Sequence, residues 1–360
     1  MKRIGIDARL LFQTGVGTYL QNMLHYLPII APQDITFVIY CLPSGVTFIE
    51  KEFPRATIRI TSALWHSLQE QTDFLTLVTH DTLDLMHFTY FGHPVLYRTP
   101  YVSTVHDVTP LLFKTGRAST KNPLTYFFKQ AAFSYVLRNQ VEQSRAIITP
   151  TQVVKEQLVH LYGEKVGKKV TPLYEGISYR LASIKNDEER IIKKPYLLYV
   201  GNFYPHKNVE FLIHACAKKS VPYTLVLAGP HDYFLKRILS GLSDEEKKNI
   251  ILKDKQTLGE LANLYTYAEA LIHPSTSEGF GLPIVEAMHF KLPIIASHIP
   301  VFQELLGTSY YSFDPFEQTS ILQAIDSFAH DKNKKKNVLR AEFSFENMTR
   351  KTMDLYLKHV

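Results

Sequence analysis

The run His273-Pro274-Ser275-Thr276-Ser277-Glu278-Gly279-Phe280-Gly281-Leu282-Pro283-Ile284-Val285-Glu286-Ala287-Met288 decides how the rest of this chain is read. It follows the largely apolar segment Ala268 to Ile272, breaks at Pro274, passes through Gly279 and Gly281, and regains helical spacing at Pro283. Proline suits a first helical position, where its missing N–H costs nothing. The order is strand, loop, helix.

Such a loop aims backbone N–H groups and the positive end of a helix dipole at an anion. Glu278 and Glu286 bracket it. Carboxylates only accept hydrogen bonds, so they repel phosphate and suit hydroxyl-rich groups such as a ribose and a hexose. A nucleotide sugar has all three parts. The plainer alternative is a solvated Glu278 and a Glu286 paired with a lysine on the helix surface.

Glu278 to Glu286, with Gly-Phe-Gly-Leu-Pro between them, resembles the Glu-x7-Glu signature of the family 4 retaining glycosyltransferases (glycosyl transferases group 1), and the similarity runs along nearly the whole chain. The resemblance implies the α/β GT-B fold, two Rossmann-like domains facing each other across a deep cleft. It implies that Glu278 holds hydroxyls of the donor sugar and Glu286 the ribose, with Ser275, Gly279, Phe280, Gly281 and Leu282 lining the donor. It also implies front-face attack, in which the leaving phosphate accepts the acceptor's proton.

At 360 residues the chain is too long for one ordinary core, and two domains of about 150–200 residues are the natural expectation. An N-terminal, acceptor-binding domain is expected over 1–175 and a donor-binding domain over 195–344. Between them, 176–194 reads as a linker, charged from Lys185 to Lys194 and ending at Pro195. The final stretch, about 345–360, has helical spacing, and the resemblance sends it back to the first domain.

Hydrophobic content of 45% against 21% charged residues is that of a soluble globular protein, and no run reaches the roughly 20 apolar residues of a membrane span. The start Met1-Lys2-Arg3-Ile4-Gly5-Ile6-Asp7 reads as a buried strand interrupted by charge, so a cytoplasmic protein is expected. Cys41 and Cys216 are too few for a disulfide framework or a zinc site. The net charge of +6 attracts anions, but without a Cys/His finger or an RNA-binding strand motif no nucleic-acid partner is expected. Lys114 to Arg145 interleaves Lys and Arg with aromatics, which suits peripheral contact with the inner membrane face or, equally, packing on the chain's own sheet. Lys334-Lys335-Lys336 reads as a solvated face.

Near the start, the strand from Lys2 to Ala8 leads to Gly15-Val16-Gly17 and a helical pattern from Thr18. A dinucleotide fingerprint would need glycine where Leu20 stands, which argues against an NAD enzyme. The resemblance implies that Gly15 and Gly17 face the donor phosphates. Strands at Ile35 to Tyr40, Leu83 to Phe88 and Tyr101 to Val105, with a helix at Leu64 to Leu77, predict a parallel sheet with ligands at its carboxyl ends. His87 and His106 fall at such ends, and Asp107 is placed to orient the His106 ring. The resemblance implies that His106 contacts the transferred sugar; His87 and Asp107 are candidates on the acceptor side.

In the second half, the strand Tyr196 to Val200 runs into Gly201-Asn202-Phe203-Tyr204-Pro205-His206-Lys207-Asn208 and a helix. A cation at a helix N-terminus opposes the dipole, so Lys207 is best explained by a bound anion. The segment resembles the family's Gly-x-x-x-x-Arg-Lys-Asn diphosphate loop, which carries donor-binding roles to Gly201, Asn202, His206 and Lys207. His206 stands in the arginine's place, and histidine is only partly charged near neutrality. The resemblance puts Lys253 over the nucleobase.

Taken together, these residues predict a hexosyltransferase moving a sugar, with the resemblance leaning to mannose from GDP-mannose, to a carbohydrate or lipid-linked acceptor in polysaccharide or lipopolysaccharide synthesis. Glu278, His106 and Lys207 are the expected catalytic residues. No Asp-x-Asp motif occurs, so no metal cofactor is expected and Lys207 with loop amides must neutralise the leaving diphosphate. A non-catalytic nucleotide-sugar-binding or scaffold protein, or a nucleotide-sugar epimerase, is the alternative.

Overall fold

Short apolar runs, each closed by a turn, build two parallel sheets in a computed structural model that describes residues 1–109, 123–185, 189–218 and 221–360. The chain divides into one unit of Met1–Glu175 with Ser344–Val360 and a second of Gly176–Phe343.

In the first unit the strands are β1 (Lys2–Asp7), β2 (Ile35–Cys41), β3 (Thr57–Ile60), β4 (Leu85–Phe88), β5 (Tyr101–Thr104), β6 (Ala146–Thr149) and β7 (Val170–Pro172). Their order is β3-β2-β1-β4-β5-β6-β7, all parallel, with Ile4 of β1 opposite Phe37 and Leu85. Every residue of β4, β5 and β6 is buried, as strands covered on both faces require, whereas the edge strand β3 is half-exposed. The helix Phe345–His359 packs on Thr14–Ile30 and buries Met348, Met353 and Tyr356.

The second unit carries β8 (Tyr196–Val200), β9 (Thr224–Ala228), β10 (Ile250–Lys253), β11 (Ala270–His273), β12 (Ile294–Ser297) and β13 (Tyr311–Phe313) in the order β10-β9-β8-β11-β12-β13. Its core joins Leu197, Tyr199, Leu227 and Ile272 of the sheet to Leu212, Ile321 and Phe328 of the flanking helices. Helix starts are capped where the sequence supplies an acceptor: Thr257 and Glu260 form a capping box, as do Ser243 and Glu246. In each sheet the strand order reverses at one place, between β1 and β4 and between β8 and β11, and parallel sheets open a ligand crevice beyond the strand ends there.

Several local expectations need correction. Residues 176–194 belong to the second unit, and Tyr179–Ala182 is a short helix. The helix expected from Leu64 starts only near residue 68 and passes through a π turn at Glu70–Phe74. The cause is Glu70, which turns inward to Arg9 while its other oxygen accepts the His66 N–H. Gly15 and Gly17 lie within the first turn of Thr14–Ile30, not before it. Lys334 and Lys335 are not simply solvated: Lys334 donates to the Phe328 carbonyl and lies over its ring, and Lys335 donates to the Tyr310 carbonyl at 2.7 Å. Of the Lys114 to Arg145 stretch, 110–122 and the side chains of 123–129 lie outside the described residues, while Phe133 packs against Phe91 and Arg138 pairs with Glu142. No described helix is long and apolar enough to cross a membrane.

Candidate functional site

The reversal point of the second sheet brings two loops together. At the exit of β8, Gly201 takes φ 147°, and a Cβ built on Gly229 at the exit of β9 would lie 1.9 Å from the Gly201 carbonyl oxygen. Only glycine permits that approach. The buried Tyr199 hydroxyl donates to the Asn202 carbonyl at 2.5 Å and fixes the loop's start. A 3-10 turn over Pro205–Lys207 follows, and Asn208, in the left-handed region, opens the helix Val209–Lys218.

The second loop leaves β11 at His273. It ends at Gly281, where φ is 101° and a Cβ would sit 2.9 Å from the Phe302 ring, and Pro283 then occupies the first turn of Leu282–His289. Thr276 ties the two loops, donating its backbone N–H to the His206 carbonyl at 2.8 Å. Phe280 is buried edge-on to Phe343.

Between these loops lies the centre of the site. Glu278 Oε1 receives Lys207 Nζ at 2.7 Å, the Ser275 hydroxyl at 2.7 Å and His273 Nε2 at 3.0 Å. All three donors share one oxygen, and Oε2 takes none of them. Burial pushes the Glu278 carboxyl up, but the Lys207 charge and the His273 bond overturn this and hold it well below the usual carboxylate range. Glu278 is therefore a fixed anion with one oxygen saturated and, among the described residues, no hydrogen bond to the other.

The remaining predicted residues take different places. Glu286 accepts the Tyr265 hydroxyl at 2.5 Å; burial raises its carboxyl and that bond pulls it back. Its partner is thus a tyrosine, not the lysine of the plainer alternative. His206 is brought down to about 4 by burial, with the neighbouring Lys207 charge adding to it, so the ring is neutral at neutral pH rather than partly charged. Lys253 closes β10, and its carbonyl accepts the Gly229 N–H at 3.0 Å.

In the first unit, a Cβ on Gly17 would meet the Leu11 carbonyl at 2.7 Å, so glycine is what lets the helix Thr14–Ile30 close on the exit of β1. His87 is a core residue: it is fully buried, its nitrogens meet the Tyr356 hydroxyl at 2.6 Å and the Thr104 hydroxyl at 2.8 Å, and burial together with the charge of His106 takes it down to about 3. His106 stands at the exit of β5, but Asp107 does not orient it. Asp107 Oδ1 accepts the Thr109 N–H, while His106 Nδ1 lies 3.1 Å from Glu175 Oε1. Neither Glu175 nor His273 is a predicted site residue. His273 has a local signal, a histidine at a strand end before Pro274; Glu175 has none.

Residues 13–180 match the family model described as Glycosyltransferase Family 4, and residues 182–342 that described as Glycosyl transferases group 1. The chain is 26% identical over 319 residues to the O-antigen chain mannosyltransferase RfbU of Salmonella typhimurium, covering 88% of this chain and 84% of that one. It is 24% identical over 275 residues to O-antigen chain mannosyltransferase B of Escherichia coli, covering 71% and 69%. Among solved structures, sucrose-phosphate synthase from Thermosynechococcus elongatus superposes with a TM-score of 0.78 at 17% identity over 99% of both chains. Anabaena HepE, solved in complex with UDP and glucose, does so with 0.70 at 14% identity over 100% of this chain and 95% of that one.

Proposed function

Because this chain belongs to the family 4 and group 1 glycosyltransferases and has the GT-B fold, we propose that it moves a mannosyl group from a nucleoside-diphosphate sugar to a polysaccharide or glycolipid hydroxyl, with retention and without a metal. The observation that carries the reading is the Glu278 carboxylate beside Lys207, with three donors on Oε1 and none on Oε2 among the described residues. A buried anion with one free oxygen is an acceptor for sugar hydroxyls, and an ammonium beside it suits a diphosphate. The names of the relatives in Salmonella typhimurium and Escherichia coli supply the mannose and the O-antigen setting, and GDP-mannose is the donor we favour.

In the reaction, the acceptor oxygen bonds to the anomeric carbon on the face from which the diphosphate departs, and the departing phosphate oxygen takes the acceptor's proton. Lys207 and the N–H groups of the two loops meet the charge that develops on the diphosphate, which is where fixed donors lower a barrier most. Glu278 holds the sugar still, and Glu286 takes the ribose hydroxyls alongside Tyr265. A thermal-shift panel of nucleotide sugars tests the reading: a donor at about 100 times its Kd adds about 2.7 kcal/mol of stability. GDP-mannose is expected to give the largest shift, and no shift from any donor would refute the site. A donor-binding protein without transfer is favoured by one observation, the neutral His206 in place of an arginine; product formation from the binding donor decides against it.

A further inference from the structure

Both nitrogens of His106 face oxygen atoms. Nε2 lies 3.0 Å from the Thr89 carbonyl oxygen and Nδ1 lies 3.1 Å from Glu175 Oε1. A carbonyl cannot donate, so Nε2 carries a proton, and the Nδ1 contact is closed by one further proton lying between the ring and the carboxyl. The two side chains are 11% and 6% exposed, so the contact is sheltered from bulk water.

The surroundings prevent the ring from turning to another partner. Tyr19 meets it edge-on at 4.8 Å and Tyr90 approaches at 6.3 Å. Tyr19 is itself held by Thr104 at 3.1 Å, Thr104 meets His87, and His87 meets Tyr356 of the helix Phe345–His359. The titratable groups that face or adjoin His106 are Glu175, Tyr19, Tyr90, Asp107 and, through Thr104, His87. Among the described residues, Glu175 is the one whose carboxylate reaches a ring nitrogen.

We propose that Glu175 is the positioning residue of His106, holding the ring at a fixed angle through Nδ1 while Nε2 donates to the Thr89 carbonyl, so that an oriented imidazole ring stands at the exit of β5. Glu175 lies 69 residues further along the chain, beyond β7, which makes the pair a product of the fold alone. The pairing stands on this geometry; its consequence for turnover rests on the transfer reading given above. A carboxylate that orients a histidine without touching substrate changes kcat far more than the donor KM.

The test uses the full chain labelled with 15N, with the His106 signals assigned by their loss in His106→Gln. Nε2 of His106 is expected to carry a proton and Nδ1 to show a hydrogen bond to Glu175, and Glu175→Gln is expected to shift the Nδ1 signal. In transfer assays Glu175→Gln is expected to lower kcat tenfold or more with the donor KM within threefold, and Glu175→Asp to recover much of the loss. A His106 Nδ1 signal unchanged by Glu175→Gln would overturn the pairing. An altered ring in Glu175→Gln with unchanged kcat would overturn the role. Absence of transfer by the unaltered protein with any donor would instead overturn the functional reading, and the spectra would still decide the pairing.

Discussion

Each sheet reverses its strand order once, between β1 and β4 in one unit and between β8 and β11 in the other, yet the charges at the two places are used in opposite ways. At the first, Arg9 donates to both oxygens of Asp7 and to Glu70, and its guanidinium lies 3.8 Å over the Phe74 ring. Burial works against the Arg9 charge, but the two carboxylates more than compensate and raise its pKa. At the second, three donors crowd one oxygen of Glu278 and, among the described residues, none reaches the other. One cluster consumes its own charges and becomes a structural post; the other keeps an acceptor to spare. Unspent hydrogen-bonding capacity, more than position in the fold, separates a site from a strut.

The sharpest way to break this contrast is Glu278→Gln. The amide fills the same space and keeps a carbonyl for one donor, but it loses the charge that faces Lys207 and the acceptor aimed at the sugar. Transfer is expected to fall on the order of 10³-fold, about 4 kcal/mol, which is the scale for removing one fixed electrostatic group from a reacting centre. Steady-state assays with donor and acceptor measure it, and circular dichroism should show an unchanged fold. Activity within tenfold of the unaltered protein would mean that the open oxygen serves nothing.

Arg9→Met examines the other half of the comparison. It strands Asp7 and Glu70, whose side chains are 10% and 1% exposed, and breaking a buried ion pair from one side costs about 3 kcal/mol or more. Urea denaturation is expected to show that loss, while calorimetric titration of the folded protein finds donor affinity unchanged. A loss of donor binding at unaltered stability would make Arg9 a site residue and erase the distinction.

How much of this was legible in the chain depends on how far apart the interacting residues lie. Tyr196–Val200 reads as a strand because an apolar run stands between Pro195 and Gly201 and is buried almost throughout. Lys207 and Glu278 are legible because each sits in a glycine-bearing strand-to-helix loop, a local pattern with a physical purpose. Tyr311–Phe313 is too short for its alternation to stand out, and the helix expected over 64–77 starts late and takes a π turn because an inward Glu70 outweighs local spacing. Asp107 is the nearest acid to His106 in sequence, but in space that place belongs to Glu175. Nothing local signals a pairing across 69 residues.

The smallest expected effect concerns pH and the core of the first unit. His87 and His93 are kept neutral by burial, at about 3 and about 4, against an unfolded value of roughly 6.5. Between those values the unfolded chain binds more protons than the folded one, so stability falls as pH is lowered through about 6.5 and is fully present above it. Glu278 is depressed instead, so its contribution is present above about 4.3 and lost only as pH falls further. The window from pH 5 to 6.5 therefore separates these histidines from Glu278. Each buried histidine contributes a slope of at most about 1.4 kcal/mol per pH unit there. His87→Gln, which keeps a donor and an acceptor for Tyr356 and Thr104, is expected to flatten the denaturation midpoint against pH in that window while lowering it at pH 8. A slope equal to that of the unaltered protein would mean that His87 charges without unfolding the core around it, and that the first unit is more open to water than its burial implies.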